Sequence, residues 1–388
     1  MPDGTTRCRA CHGSDGPVVL DLGEQPPWDR MPPWDTPLPD AAYPLRMWCC
    51  RDCGLAQLEA DAEHVEELFA VEPRAVVEQS DRSVSRLAAE GLLRPGGRVV
   101  EFGSPHGESW LPRLTGRGMT AVDPAGCPDG TADLIVDFYG LLHEPDQHRA
   151  LHRRAAALAP GGTLAMQLLP LGTVLREGQW YDLRHGHYAY WSLPALDAAL
   201  RGFGLGVHRA WRYPLSGGTL LVTARADAAP DAATRELIEE ERALGVTDPA
   251  ALARLQEAAD DVRWLRDWLA AERAAGRTVA GYGAASRAVP LICRAGLDAG
   301  LLTAIGDAAP GKQGRRMPGT DIPIVSPDEL AAARPDRVVL FLPALADEVR
   351  AQLPEVEAAG GRWVVPVAGR EAVQTLPPLA MLGSRSPG

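Results

Sequence analysis

The sequence lacks the features that would place the protein in a membrane, outside the cell or on a nucleic acid. No stretch approaches the roughly 20 uninterrupted apolar residues of a membrane-spanning helix, and the N-terminus, M-P-D-G-T-T-R-C, has no apolar signal region. Basic residues are in the minority, with 39 Lys and Arg against 51 Asp and Glu, and the formal net charge is −12. Because binding to polyphosphate needs a basic face, we exclude nucleic acid as a partner and expect a cytoplasmic protein without a membrane partner.

Lysine is almost absent, and Lys312 is the only one in the chain. It lies in the glycine-rich string G-K-Q-G-R-R-M-P-G, just after a predicted strand. A single lysine can fall anywhere by chance, so this position has a neutral explanation. The functional alternative is that Lys312 binds a diphosphate together with Arg315 or Arg316. The lysine ammonium then acts as a point charge, and the arginine guanidinium binds through its forked N–H groups.

Cysteines are also few, seven in all, but four of them form two C-x-x-C pairs. These four are Cys8, Cys11, Cys50 and Cys53. Two such pairs complete a closed four-sulfur site for one tetrahedral zinc ion, whereas disulfides are disfavoured in the cytoplasm. The spacing therefore predicts a structural zinc that holds the N-terminal module together. Cys49 is a bystander or an alternative ligand, and Cys127 and Cys293 are predicted core residues.

The length of 388 residues is too great for one compact domain and predicts two or three. Two strand-turn-helix glycine signatures lie far apart, V-V-E-F-G-S-P-H-G from Val99 and T-V-A-G-Y-G-A-A-S-R from Thr278. Each places backbone N–H groups and a helix N-terminus where they can face a nucleotide, so we expect two nucleotide-like ligands. The predicted domains are a zinc-binding module over 1–70, a second domain over 71–228 and a third over 229–388.

Alternating strands and helices predict an α/β fold with a doubly wound parallel sheet in 71–228. We expect a helix containing His143 and a long helical pattern from Ala233 to Ala274. The motif E-x-G-x-x-x-G, followed by V-D-P and a P-G-G-x-L strand, looks like a class I S-adenosylmethionine methyltransferase domain. Asp123 ends its second strand, where a ribose-binding carboxylate is needed. The cofactor-binding candidates are Glu101, Gly103, Ser104, Gly107 and Asp123.

The densest cluster of functional side chains lies in E-G-Q-W-Y-D-L-R-H-G-H-Y-A-Y-W-S. Within eight positions it holds Arg184, His185, His187, Tyr188, Tyr190 and Trp191. His185 and His187 can form a second metal site, or the aromatic residues can pack a structural loop. The interpretation we favour is an active-site loop with a histidine general base.

A duplicated Pro-Pro-Trp-Asp lies between the cysteine pairs. Repeated proline forbids a regular helix or a central strand, so Trp28 and Trp34 are expected on an extended loop. They either pack onto the zinc module or cover the substrate site.

The order of these motifs resembles the nucleotide-sugar C-methyltransferases of deoxysugar biosynthesis. The similarity runs over nearly the whole chain and is most specific in C-R-D-C-G-L-A-Q-L and in G-Y-G-A-A-S followed by G-K-Q-G-R-R-M-P-G-T-D-I-P-I-V-S-P. The resemblance implies a monomer, used in antibiotic pathways, that moves a methyl group from S-adenosylmethionine to C3 of a dTDP-4-keto-deoxysugar. It implies a Rossmann-like third domain that binds this sugar nucleotide. The candidate residues there are Gly281, Tyr282, Gly283, Ser286, Arg287, Lys312, Arg315 and Arg316.

The resemblance also suggests catalytic residues. A general base removes a hydrogen beside the ketone, donors hold the enolate, and its carbon attacks the sulfonium methyl. In the matching string His187 takes the position of the base, with His185 beside it. His143 takes the position of another active-site histidine, and Arg184 joins the groups that stabilise the enolate.

Several departures from the family pattern stand out. Arg184 replaces a tyrosine, Gly186 replaces a glutamate, and Pro105-His106 replaces Asn-Asp. The tyrosine after the zinc module is missing, and the segment between Asp123 and Asp133 lacks a helix and a strand that help to enclose adenine. Two other functions therefore stay open: another reaction of the keto sugar, such as ketoreduction or epimerisation, and non-catalytic binding of a nucleotide sugar as a partner of another enzyme.

Overall fold

The computed structural model describes residues 6–60, 72–103, 109–367 and 372–377. Within these ranges the chain forms one four-stranded and two six-stranded sheets. Two predicted cofactor residues, Ser104 and Gly107, lie outside the described residues, as does the Pro105-His106 pair. In the part of the chain that the structure describes, no helix combines the length and the apolarity that crossing a membrane requires.

The N-terminal module is built on an antiparallel sheet. Its strands are β1 (Val18–Gln25), β2 (Tyr43–Cys49) and β3 (Ala56–Leu58), paired in that order. Buried Leu20, Leu22 and Met47 belong to an apolar core that continues into the third domain at Leu265 and Ile292. The module is therefore packed against the C-terminal part of the chain.

The second sheet has the doubly wound arrangement. Its elements are α1 (Arg74–Ala89), β4 (Arg98–Gly103), α2 (Leu111–Thr115), β5 (Thr120–Val122), β6 (Ala132–Phe138), α3 (Gln147–Ala157), β7 (Leu158–Leu168), α4 (Leu171–Arg176), β8 (Ala189–Tyr190), α5 (Leu193–Arg201), β9 (Leu205–Tyr213), β10 (Thr219–Ala226) and α6 (Ala232–Leu244). The strand order is β5-β4-β6-β7-β10-β9, with β5, β4, β6 and β7 parallel and β10 antiparallel to both of its neighbours. β8 leaves this unit and pairs with β3 of the N-terminal sheet.

Local sequence accounts for the central strands of this sheet. Val99, Val100, Leu134 and Ile135 are fully buried, as expected for parallel strands that are covered on both faces. β5 is the edge strand, and a short turn leads from it to β6. The sheet therefore ends where the departure from the family pattern predicts a missing helix and strand.

Two expectations about helices need correction. His143 does not lie in a helix but in a 3-10 turn over Leu141–His143, because the Asp146 side chain caps α3 only from the next turn onward. The pattern from Ala233 to Ala274 is four helices instead of one. Gly245, with a φ of 76°, ends α6 in the left-handed conformation that glycine favours, and the chain then has to start a new helix.

The third sheet is also doubly wound. The elements that follow α6 are α7 (Pro249–Leu252), α8 (Arg254–Asp260), α9 (Arg263–Ala274), β11 (Val279–Tyr282), α10 (Ala288–Arg294), β12 (Ile305–Gly306), β13 (Ile324–Val325), α11 (Pro327–Ala332), β14 (Arg337–Leu340), α12 (Ala346–Gln352), α13 (Pro354–Ala358), β15 (Arg362–Val367) and β16 (Ala372–Thr375). The order β13-β12-β11-β14-β15-β16 is parallel except for β16. This is the Rossmann-like topology expected from the second glycine signature.

Candidate active site

The four predicted zinc ligands lie together. The sulfur atoms of Cys8, Cys11, Cys50 and Cys53 are all within 4.8 Å of one another, and the Cys8–Cys53 and Cys11–Cys50 separations are 3.5 and 3.6 Å. Ligands of one tetrahedral zinc, each about 2.3 Å from the ion, lie about 3.8 Å apart. The donor set therefore fits a closed structural zinc site. Cys49 is buried outside this cluster, and burial raises the pKa of its thiol to about 11.

All three sheets contribute to one large cavity, with a volume of about 470 Å³. The N-terminal module supplies Trp28, Asp29 and Met31. The unit built on the second sheet, the second unit, supplies Tyr139 and His143 from the segment after β6. It also supplies Asp182, Arg184, His187 and Tyr190 from residues 182–192, the histidine loop. The third supplies the turn after β11, Gly283 to Arg287, together with Asp307 and Lys312. The cavity therefore lies between the segment after β6, the histidine loop and the turn after β11.

His143 and His187 meet in this cavity, although 44 positions separate them in the chain. Their ring centroids are 4.7 Å apart and the rings are nearly perpendicular. His143 Nδ1 lies 3.2 Å from the Gly186 carbonyl oxygen, and His187 Nδ1 lies 2.9 Å from Arg184 Nη2. Two of the three histidines named from the sequence are thus at the site.

His185 lies elsewhere. Its side chain is 1% exposed, and its Nε2 is 3.2 Å from the Gln25 carbonyl oxygen. Tyr43 packs edge-on against its ring. The structure therefore does not bring His185 to the cavity, and His185 instead fastens the loop to β1. His185 and His187 face different surroundings, which disfavours the shared metal site considered above.

The histidine loop is hydrogen-bonded to the segment that carries His143. Tyr188 donates its backbone N–H to the Leu142 carbonyl at 2.7 Å, and Trp191 Nε1 donates to Gln147 Oε1 at 2.9 Å. Gln147 Nε2 in turn donates to the Leu141 carbonyl at 2.7 Å. These bonds tie the loop to the turn that carries His143, so the two imidazoles are fixed relative to each other.

The zinc knuckle also supports this loop. Arg9, between two cysteine ligands, places its guanidinium 4.9 Å from the ring centre of Tyr188 and donates to the Pro145 carbonyl at 2.9 Å. The pairing of β8 with β3 adds backbone hydrogen bonds at Ala189 and Tyr190. The zinc-binding module is thus in direct contact with the segment that presents His187.

Arg184 connects the second and third units across the cavity. Its Nη1 donates to Ser286 Oγ at 2.8 Å and lies 3.7 Å from Asp182, which is also 3.4 Å from Arg287. Burial lowers the pKa of the Arg184 guanidinium, against the opposing effect of Asp182. One buried carboxylate therefore offsets part of the charge of two arginines. Asp182 was not identified from the sequence, because an aspartate at a loop start carries no distinctive signal.

The predicted cofactor-binding residues that the structure describes lie on β4 or at the carboxyl ends of β4 and β5. Gly103 ends β4, and Asp123 is exposed just after β5, where its carboxylate accepts from Ala125 N. The Glu101 carboxylate accepts from Ser109 Oγ at 2.5 Å and from Trp110 N at 2.6 Å. Glu101 therefore holds the two ends of the glycine turn together.

Tyr139 was not named from the sequence as a site residue. It has a φ of 55°, which is strained for a tyrosine, and its hydroxyl lies near the side chains of Thr219, Gln79 and Gln167. Burial raises its pKa. The signal available in the sequence was an aromatic residue followed by glycine at the carboxyl end of a buried strand. The next residue, Gly140, has no room for a side chain, since a Cβ there would lie 2.7 Å from the Phe102 carbonyl oxygen.

The residues predicted in the third unit divide into two groups. Lining the cavity are Tyr282, Gly283, Ser286, Arg287 and Lys312, whereas Gly281 lies inside the sheet, where a Cβ would be 2.8 Å from the Phe341 ring. Lys312 Nζ donates to the Ala284 carbonyl at 2.9 Å and to Asp307 at 3.2 Å.

Arg315 and Arg316 are not brought to the cavity with Lys312. Arg316 is 2% exposed and donates to both carboxylate oxygens of Asp40, at 2.6 and 2.7 Å. Arg315 donates to the Met31 carbonyl at 2.6 Å. We therefore correct their expected role. They bind the N-terminal module to the third unit, because a buried guanidinium needs a carboxylate or carbonyl partner.

The two repeated tryptophans have different surroundings. Trp28 lines the cavity and donates its Nε1–H to the His185 carbonyl at 2.9 Å. Trp34 is 56% exposed. Trp28 thus follows the second of the two alternatives, covering the site, and Trp34 follows neither.

Comparison with family models assigns each part of the chain. A zinc binding domain model matches residues 8–69, a methyltransferase domain model matches 73–210, and the model of the C-methyltransferase C-terminal domain matches 214–368. Together these three models span most of the chain, and they describe the parts of a C-methyltransferase. The protein is an S-adenosylmethionine-dependent C-methyltransferase with an N-terminal zinc-binding module, which disfavours the non-methylating functions left open by the sequence.

Individual proteins are similar to this chain either over nearly its whole length or over less than half of it. The C-methyltransferase NovU of Streptomyces niveus is 29% identical over 399 residues, which cover 93% of this chain and 95% of NovU. Among solved structures, the 1,6-didemethyltoxoflavin-N1-methyltransferase of Burkholderia thailandensis is 18% identical with a TM-score of 0.28, covering 44% of this chain and 95% of that one. The magnesium protoporphyrin IX methyltransferase ChlM of Synechocystis PCC 6803 is 17% identical with a TM-score of 0.28, covering 39% and 84%.

Proposed function

We propose that this C-methyltransferase acts on a dTDP-linked 4-keto-deoxysugar, at C3, in antibiotic deoxysugar biosynthesis. The observation that carries the proposal is the cavity that residues of the methyltransferase sheet share with the turn Gly283 to Arg287 of the third unit. A substrate that spans this cavity needs a nucleotide end and a reacting end. A sugar nucleotide has both.

The groups on the third-unit side of the cavity suit a diphosphate. Lys312 supplies an ammonium group, and Arg287 and Ser286 supply donors on the turn after β11. Gly283, with a φ of 94°, lets the backbone of this turn approach a ligand closely. These groups hold the dTDP part at the carboxyl end of the parallel sheet, the usual ligand position in such folds.

The groups on the other side suit enolate chemistry. His143 and His187 lie beside each other next to Arg184, within the same cavity. One imidazole removes the proton from the carbon beside the ketone, and neighbouring N–H donors stabilise the enolate oxygen. The enolate carbon is then the nucleophile that receives the methyl group.

The cofactor is expected at the carboxyl ends of β4 and β5, where Gly103 and Asp123 lie. When bound there, S-adenosylmethionine supplies a sulfonium methyl group that the enolate carbon can attack. We expect the Asp123 carboxylate to accept from the ribose hydroxyls. The zinc site takes no part in the chemistry, because four sulfur ligands leave no open coordination position.

The test is an incubation of the purified enzyme with S-adenosylmethionine and a dTDP-4-keto-6-deoxyhexose. We expect a product that is heavier by one methylene group, with the new methyl on the carbon next to the ketone by NMR, and an equal amount of S-adenosylhomocysteine. We also expect deuterium from the solvent at that carbon in the absence of cofactor. A methyl group on oxygen or nitrogen, or no exchange and no product, would refute the proposal.

A further inference from the structure

The two cavity histidines have hydrogen-bond partners of opposite kinds. We propose that in this chain His143 is the general base and His187 is the donor that holds the enolate oxygen. Arg184 and Gly186 impose this division as positioning residues. The inference rests on the proposed function, because it names which residue performs each of its proton steps.

His187 is fixed as a donor by Arg184. A guanidinium has only N–H groups and cannot accept a hydrogen bond, so the 2.9 Å contact requires a lone pair on His187 Nδ1. The neutral ring then carries its proton on Nε2. The lone pair that a base needs points at Arg184, and what the ring offers elsewhere is an N–H.

His143 is fixed in the opposite tautomer by Gly186. A carbonyl oxygen only accepts, so the 3.2 Å contact requires the proton on His143 Nδ1. The lone pair of the neutral ring then lies on Nε2. This is the arrangement of a general base whose second nitrogen is oriented by a backbone carbonyl.

The surroundings keep both partners in place. Arg184 is also bonded to Ser286 at 2.8 Å and lies near Asp182 at 3.7 Å, and its backbone N–H donates to the Tyr190 hydroxyl at 3.0 Å. Gly186 has a φ of 79°, a left-handed conformation that glycine adopts without strain. The two residues that depart from the family pattern in this loop are therefore the two that set the tautomers.

The reaction then proceeds with a clear role for each ring. His143 Nε2 takes the proton from the carbon beside the ketone, and the electron pair of that C–H bond forms a C=C bond while the carbonyl becomes an enolate. His187 Nε2–H donates to the enolate oxygen. With S-adenosylmethionine bound, the enolate carbon would take up its methyl group, the electron pair of the methyl–sulfur bond would go to sulfur, and the carbonyl would re-form. His143 finally releases its proton to water.

The tautomers can be tested directly in the full-length protein by NMR. The chain has nine histidines, and ¹⁵N labelling of histidine distinguishes Nδ1–H from Nε2–H rings by their nitrogen shifts. His143→Asn and His187→Gln assign the two signals by their disappearance. We expect Nδ1–H at His143 and Nε2–H at His187. The reverse assignment at either ring overturns the inference, whichever substrate the enzyme uses.

Solvent exchange into a dTDP-4-keto-6-deoxyhexose tests the roles. In His143→Asn the amide N–H can still donate to Gly186, but the base is gone, so we expect exchange to fall about 10²–10⁴-fold. In His187→Gln an amide N–H replaces the Nε2–H donor, so exchange should stay within about tenfold of the parent. His187→Asn, which does not reach as far, should be slower than His187→Gln. His152→Gln, on α3 outside the cavity lining, is the matched control.

The outcomes separate this inference from the proposed function. If His187→Gln loses exchange while His143→Asn keeps it, His187 is the base and the inference fails, although the proposed function stands. If the parent protein neither exchanges nor methylates the sugar nucleotide, the proposed function fails. The NMR result then judges the tautomers alone.

Discussion

Glu241 holds both ends of the chain segment that carries the histidine loop. Its side chain is 2% exposed, and its carboxylate accepts from Leu193 N, the first residue of α5, at 2.6 Å and from Gly172 N in α4. Burial raises the pKa of this carboxyl from its ordinary value of 4.5 to about 7, against the opposing effect of these hydrogen bonds. We predict that Glu241→Gln changes the pH dependence of stability.

The sign follows from proton linkage. Between pH 4.5 and 7 the unfolded chain has lost this proton while the native protein retains it, so the free energy of unfolding falls as pH rises. The contribution is fully present below the unfolded pKa and is lost as pH rises through the native pKa. The separation of the two pKa values corresponds to about 3 kcal/mol. Glutamine keeps an acceptor for Leu193 and has no proton to release.

The assay is urea unfolding of the parent, Glu241→Gln and Glu240→Gln at about pH 5 and about pH 8. Glu240 is its exposed neighbour, paired with Arg212 at 2.7 Å, and serves as the matched control. We expect Glu241→Gln to gain about 2–3 kcal/mol relative to the parent between the two pH values, and Glu240→Gln to gain little. Parallel pH profiles for the parent and Glu241→Gln would show that the carboxyl titrates normally, and the reasoning would then be wrong.

Three further changes test other parts of the structure. Cys50→Ser should remove the one zinc from the purified protein by metal analysis and lower its melting temperature, since such sites contribute on the order of 10 kcal/mol to folding; zinc-free parent protein would contradict this. Lys312→Ala should weaken dTDP binding by about 1.5–3 kcal/mol in calorimetry, whereas Gln313→Ala, outside the cavity lining, should leave it unchanged. Gly140→Ala, whose new Cβ would press on the backbone at the end of β4, should destabilise the protein by about 1–3 kcal/mol. Gly126→Ala, whose Cβ would make only an ordinary contact at 3.9 Å with the Asp123 carbonyl oxygen, should not, and equal unfolding midpoints for the two variants would count against this packing.

The sequence by itself determined the features that depend on neighbouring residues. Two C-x-x-C pairs sufficed for the zinc site, because each knuckle is local and the metal chemistry joins the two. Uninterrupted apolar runs such as those around Val99 and Leu134 predicted the buried parallel strands. The C-methyltransferase family was likewise visible in these strings.

Only the tertiary structure decided which side chains meet. His185 and His187 are two positions apart, yet one faces β1 and the other the cavity, since the positive φ of Gly186 turns the chain between them. Arg316 does not lie at the predicted phosphate site, because its guanidinium pairs with Asp40, which is far away in the sequence. Hydrogen-bond partners such as Ser286 for Arg184 depend on how whole domains pack, and no local pattern encodes the direction from which a distant group approaches.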